Sequence, residues 1–93
     1  MNYASFYGLK IPKTKFIECM IVEADFKETN LKEAVFANCD LSGSMFENTN
    51  LQAADLRDNA EISLDPEMNQ ITGAKFSLEN LPGLLQKYNI NIG

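Results

Sequence analysis

The chain of 93 residues contains no histidine and no tryptophan. Without histidine it lacks the usual general base near neutral pH and the commonest metal ligand. Its two cysteines, Cys19 and Cys39, form no Cys-x-x-Cys pair, which argues against a disulfide framework or a structural zinc site. No apolar run approaches the roughly 18–20 residues that cross a bilayer. The opening MNYASFYGLK has no charged segment followed by an apolar one, so no secretion signal is read there. The expectation is a cytoplasmic protein with no membrane association. A paired base and nucleophile, a glycine-rich phosphate loop and a metal-ligand cluster are all missing. Neither catalysis nor a cofactor or metal is expected.

What is present suffices for one small domain. Hydrophobic residues make up 45%, the fraction of a globular chain and not of a disordered one. The net charge of −5 is unevenly spread. From Glu18 to Glu67 twelve acidic residues stand against Lys27, Lys32 and Arg57, a local net of −9. The ends hold Lys10, Lys13, Lys15, Lys75 and Lys87 against Glu79, a net of +4. Direct nucleic-acid binding needs Lys and Arg to displace phosphate counterions, so the acidic middle argues against it. It suits a basic partner surface, or merely solubility.

An apolar residue recurs at every fifth position: Phe6, Ile11, Phe16, Ile21, Phe26, Leu31, Phe36, Leu41, Phe46, Leu51 and Leu56. Five is neither the period of a strand nor that of an α-helix. Two residues before each of these eleven centres the side chain is small in all cases but Leu9. One residue before, Asp or Asn recurs at Asp25, Asn30, Asp40, Asn50 and Asp55. The units ADFKE, TNLKE, CDLSG, TNLQA and ADLRD resemble those of pentapeptide-repeat proteins. That resemblance implies an all-β solenoid, a right-handed quadrilateral β-helix of about three to four coils. Each unit makes one side and four make a coil, with one large and one small residue per side pointing inward.

Residues twenty apart then stack. Phe16, Phe36 and Leu56 form one inner column and Phe6, Phe26 and Phe46 the opposite one. Ile21 with Leu41, and Ile11 with Leu31 and Leu51, fill the other two, at the ~4.8 Å spacing of adjacent strands. Cys19 and Cys39 fall in a small-residue column. Parallel stacking holds their Cβ atoms too far apart for good disulfide geometry, so buried free thiols are expected. Outside, Glu18, Glu23, Glu28 and Glu33 put one acid on each side of a coil, and Asp58 holds the equivalent position later. Lys27 should lie over Glu47 as an ion pair, and Asn30 over Asn50 as an amide ladder.

The repeat falters after Leu56, where the next centres would be Glu61 and Pro66. Residues 59–70 are expected to form a degenerate coil or loop, with a turn at Asp65-Pro66 and one distorted side. Ile71 and Phe76 return in phase, so the β-helix is assigned to residues 1–76 and a separate tail to 77–93. In the tail, Asn80 reads as an N-cap. Leu81, Leu84, Leu85 and Tyr88 follow the spacing of one α-helical face. Ile90 and Ile92 alternate like a strand. This short C-terminal α-helix either caps the open end of the solenoid or joins two chains in a homodimer, the latter being expected.

The tail is also similar to the C-terminal segment of quinolone-resistance (Qnr-type) pentapeptide-repeat proteins. That resemblance implies a homodimer whose acidic rod mimics duplex DNA and engages DNA gyrase or another type II topoisomerase. The acidic residues named above would then be the partner-binding surface. Qnr-type chains are longer and carry a loop between coils, whereas the good units here make a rod of roughly 15 Å at strand spacing. The alternative is a structural or protein-interaction scaffold with a different partner.

Overall fold

The computed structural model describes residues 3–59, 62–85, 88, 90 and 91. Strands β1 (Lys15–Ile17) and β2 (Val35–Ala37) pair in parallel, with Phe16 opposite Phe36. Single bridges repeat the offset of twenty elsewhere: Ser5–Asp25–Met45, Lys10–Asn30–Asn50–Gln70, Val35–Asp55–Lys75 and Met20–Asp40. Four such columns, five residues apart, divide each coil into four sides. Side 1 comprises residues 4–8, 24–28, 44–48 and 64–68, and sides 2, 3 and 4 follow at steps of five. Strands stay short because the chain must turn a corner within each unit.

The corners have a common chemistry. The residue two after each centre adopts positive φ, from 52° at Glu18 to 70° at Gly8, including Lys13, Asn38, Asn48, Ala53 and Asp58. This left-handed region disfavours side chains branched at Cβ, and no Val, Ile or Thr occupies it here. Several turns close with an N–H donated back to the centre's carbonyl, as from Ala34 to Leu31 at 3.0 Å. That bond and a positive φ at the third residue are the features of a type II turn. The recurrent Asp or Asn braces the turn from outside. Asp25, Asn30, Asp40, Asn50 and Asp55 each accept from the N–H two residues on, at 2.9–3.1 Å. Because Asn30 and Asn50 serve their own turns, they do not form the expected amide ladder. Lys27 and Glu47 form no ion pair among the described residues, their side chains being free to stay hydrated. Arg57 pairs instead with Asp55, at 2.8 Å.

Of the inner-column residues, Phe16, Ile21, Phe26, Phe36, Phe46, Leu31, Leu41, Leu51 and Leu56 are buried, while Phe6 and Ile11 in the first coil are only partly so. Phe16 stacks on Phe36 with ring centroids 4.7 Å apart, and Phe26 on Phe46 at 5.0 Å. Between columns the rings meet edge to face, as Phe26 does Phe36 at 5.9 Å. That crossing brings a ring's positive edge to its neighbour's negative face. Thr29, Ser44 and Thr49 do more than fit as small residues. Their hydroxyls donate to the carbonyls of Phe6, Ile21 and Phe26, each twenty-three residues earlier, at 2.6–2.7 Å. The Cys39 thiol does the same to Phe16 at 3.2 Å. Buried carbonyls left without a partner would each cost about 1–3 kcal/mol. Both cysteines are free, Cys39 buried and Cys19 half-buried.

Where the repeat falters, asparagine keeps the pattern. Asn59 and Asn69 donate to the Phe36 and Phe46 carbonyls and accept from the N–H groups of Cys39 and Thr49. Ile62 and Leu64 fill the core in place of the unsuitable expected centres. The expected turn is a short 3-10 helix, Pro66–Met68, with Asp65 accepting from the Glu67 N–H at 2.9 Å. Sides 2 and 3 then resume, since Gln70 and Lys75 pair with Asn50 and Asp55. With this fourth layer and the tail the molecule measures 36 × 24 × 21 Å, longer than the good units alone predict.

The tail departs from expectation. It is a 3-10 helix, Leu78–Leu84, not an α-helix, and it begins after Ser77 instead of Asn80. Asn80 is buried within it and donates to the Leu56 carbonyl at 3.0 Å. Gly83 is also buried, so close to the last coil that a Cβ there would lie 1.8 Å from the Ile62 carbonyl oxygen. These two contacts, with Pro82 inside the segment, prevent a regular apolar face from forming. Leu84 and Leu85 are half-buried, whereas Leu81, Tyr88 and Ile90 are exposed. Ile92 lies outside the described residues.

Candidate functional site

The acidic side chains stand at the corners. Glu18, Glu23, Glu28 and Glu33 occupy four successive left-handed turns and are exposed, as is Asp58 two coils after Glu18 on the same side. A corner residue with positive φ projects outward, so this position displays whatever side chain it carries. Tyr7 donates its hydroxyl to a Glu28 carboxylate oxygen at 2.6 Å, and this bond raises the tyrosine's pKa. Glu23 raises that of Tyr3 in the same way. Ser42 holds the Asp40 carboxyl below the usual range, and the Arg57 guanidinium does so for Asp55. Both carboxylates therefore stay charged below the pH at which ordinary aspartates are neutralised.

The glutamates ring one coil, but the full set of charges does not surround the rod evenly. Side 1 carries Asp25, Glu28, Glu47, Asp65 and Glu67 against Lys27. Among the described residues side 4 carries Glu23 and Asp40 with no base. Side 2 holds Lys10, Lys13 and Lys32 against Glu33 alone, and on side 3 three bases balance three acids. The acidic surface is thus an edge formed by two adjoining sides. The sequence contains this asymmetry, but it emerges only when every charge is assigned to its column.

Nothing among the described residues resembles an active site. No three His, Cys, Asp or Glu side chains converge as metal ligands, and no helix is long and apolar enough to cross a membrane. A cleft of about 260 Å³ lies between Asn48, Glu67, Met68, Asn69 and Gln70 at the irregular coil. It is smaller than the ~300–1,000 Å³ of most small-molecule sites. The tail residues proposed for cap or dimer contact split into two groups. Leu84 and Leu85 are half-buried, while Leu81, Tyr88 and Ile90 are exposed, as is Leu78 at 83%. Sequence reading missed Leu78, the buried asparagines Asn59 and Asn80, and the half-buried Asn69. The asparagines sit in or near the small-residue column, which was their one signal.

Comparison with solved structures finds a trypsin-treated variant of QnrB1, a plasmid-mediated fluoroquinolone resistance protein. Its TM-score is 0.53 at 19% identity, over 100% of this chain and 47% of that one. Full-length QnrB1 gives 0.42 at 24% identity, over 96% and 43%. A pentapeptide-repeat protein, Rfr23 of the cyanobacterium Cyanothece 51142, gives 0.31 at 23%, over 84% and 56%. The chain therefore spans about half the length of these proteins. No curated protein matches the sequence. The family model described as the pentapeptide repeat region matches residues 2–84. With columns twenty residues apart and a phenylalanine or aliphatic centre on each side, the chain belongs to the pentapeptide-repeat family, whose repeat implies a right-handed β-helix.

Proposed function

We propose that this chain is a non-enzymatic binding protein. Its acidic edge takes the place of duplex DNA on the basic surface of a type II topoisomerase such as DNA gyrase. The observation that carries this reading is the gathering of Asp25, Glu28, Glu47, Asp65 and Glu67 on side 1 beside Glu23 and Asp40 on side 4. Duplex DNA likewise presents a dense negative flank to the proteins that bind it. The likeness to QnrB1 supports the fold, and that protein's role in fluoroquinolone resistance motivates the choice of partner. Exposed Leu78, Leu81, Tyr88 and Ile90 would join two chains through the tail, lengthening the rod, with Ile92 beyond. Binding to gyrase, and a change in its supercoiling with and without a fluoroquinolone, is the expected result with purified components. No binding and no effect at micromolar protein would discard the topoisomerase reading.

The exposed tail favours a second reading, a scaffold that assembles through apolar contact. Reversing Glu23, Glu28 and Glu47, all on sides 1 and 4, to lysine separates the two. Loss of partner binding supports charge mimicry, whereas sensitivity confined to the exposed Leu78 and Leu81 supports assembly.

A further inference from the structure

Large exposed apolar side chains gather at the two ends of the rod. Leu78, Leu81, Tyr88 and Ile90 lie in the tail, and Tyr3, Tyr7, Leu9, Ile17 and Met20 lie in the first coil. The ends are otherwise unlike. Against the last coil lies the segment with Asn80 and Gly83. Among the described residues nothing covers the first. Phe6, Ile11 and Cys19 are only half-buried there, while Phe26, Leu31 and Cys39 one coil on are no more than 2% exposed.

The backbone of the first coil is equally open. Asn30 donates to the Leu9 carbonyl at 2.8 Å and accepts from the Ile11 N–H at 2.9 Å. Lys10, between them, therefore directs its own N–H and C=O away from the coil below. Asp25 bonds Ala4 and Phe6 in the same manner about Ser5, at 2.9 and 2.7 Å. A residue that presents both groups to one side is half of the doubly bonded pair of an antiparallel ladder.

We propose that this end docks a second copy of the chain, first coil against first coil, about a two-fold axis perpendicular to the rod. Such an axis reverses chain direction, as the ladder requires, and makes the contact self-complementary. Placed at the corner between sides 1 and 2, it sets side 1 on the second copy's side 2, and side 3 on its side 4. Ser5 then exchanges bonds with Lys10 of the other copy. Lys10 approaches Asp25, which lies one coil beneath Ser5, and Lys13, at the corner of sides 2 and 3, approaches Glu23 at the corner of sides 4 and 1. The basic part of each end thus meets the acidic part of the other. A cross-section of 24 × 21 Å offers about 500 Å² per copy, roughly 1,000 Å² in all, the size at which a specific interface becomes sustainable.

Sedimentation of a Leu78→Glu/Leu81→Glu chain tests this contact apart from any association through the tail. The expected result is a reversible dimer that weakens in high salt. Adding Leu9→Glu at the apolar centre should raise its Kd at least ~10-fold, and so should Lys10→Glu/Lys13→Glu, which leaves the interior untouched. Amide exchange at Ser5 and Lys10 should slow as concentration rises. A chain that stays monomeric at ~1 mM overturns the proposal. So does a dimer indifferent to both sets of first-coil substitutions.

Discussion

The side-chain nitrogen of Asn80 donates to the carbonyl oxygen of Leu56 across twenty-four residues, one more than separates Asn59 from Phe36 or Asn69 from Phe46. One extra residue has entered before the tail, yet the bond is kept. The tail is therefore tied to the last coil by the same device that ties the coils together.

Substitutions at this junction should act on the tail first. Asn80→Ala leaves the Leu56 carbonyl without its side-chain donor and should destabilise the chain by about 1–3 kcal/mol. Gly83→Ala places a methyl against the Ile62 carbonyl and forces the segment off the coil. Urea midpoints should fall for both, and limited proteolysis should cut the tail of Gly83→Ala faster than that of wild type. Equal cleavage rates would mean that the tail is held elsewhere.

The corner position should be selective for shape more than for charge. At Glu33, where φ is 60°, valine should destabilise by about 1–2 kcal/mol because its branched Cβ crowds the left-handed turn. Asparagine, which tolerates that conformation, should be neutral or slightly stabilising. Thermal unfolding of the two variants beside wild type reads the difference directly.

Acid should weaken the fold through Asp55 and Asp40. Each has a folded pKa below its unfolded value, Asp55 chiefly through Arg57 and Asp40 chiefly through Ser42. Their contribution is present above the ordinary aspartate value of about 3.9 and is lost as pH falls through the folded value. Asp55→Asn keeps an acceptor for the Arg57 N–H but removes the titrating charge. Its urea midpoint should vary less below about pH 4 than that of wild type.

The two thiols should react in sequence. Burial raises the Cys39 pKa, while Cys19 lies half-buried at the open end. A thiol reagent at neutral pH should modify Cys19 first. Cys39 should follow at the rate of local or global opening, as mass spectrometry of timed samples would reveal. Simultaneous modification would contradict the burial difference.

The columns were legible in the sequence because packing and register share a single period. Phe16 must stack on Phe36 once both lie inward and twenty residues complete a coil. Left-handed corners were harder to read, since their signature is an absence: no Val, Ile or Thr stands two residues after Phe26, Leu31 or Phe36. Thr29 and Thr49 looked merely small, because a hydroxyl's partner twenty-three residues away has no local trace. The tail misled for a related reason. Leu81, Leu84, Leu85 and Tyr88 have α-helical spacing, but the contacts of Asn80 with Leu56 and of Gly83 with Ile62 set the winding instead. The irregular coil had its clue in EISLDP, where Ile62 and Leu64 offered apolar side chains beside the vacated centre.

The bonds from Thr29, Ser44, Cys39, Thr49, Asn59 and Asn69 all run from later residues to earlier carbonyls. During synthesis, a newly emerged turn must therefore wait for its successor before its inner oxygens find their donors. For these bonds trimming from opposite termini is unequal: removing a later layer strips side-chain donors from carbonyls that remain, while removing an earlier one strips their acceptors. The molecule has a direction of completion, and it follows the ribosome.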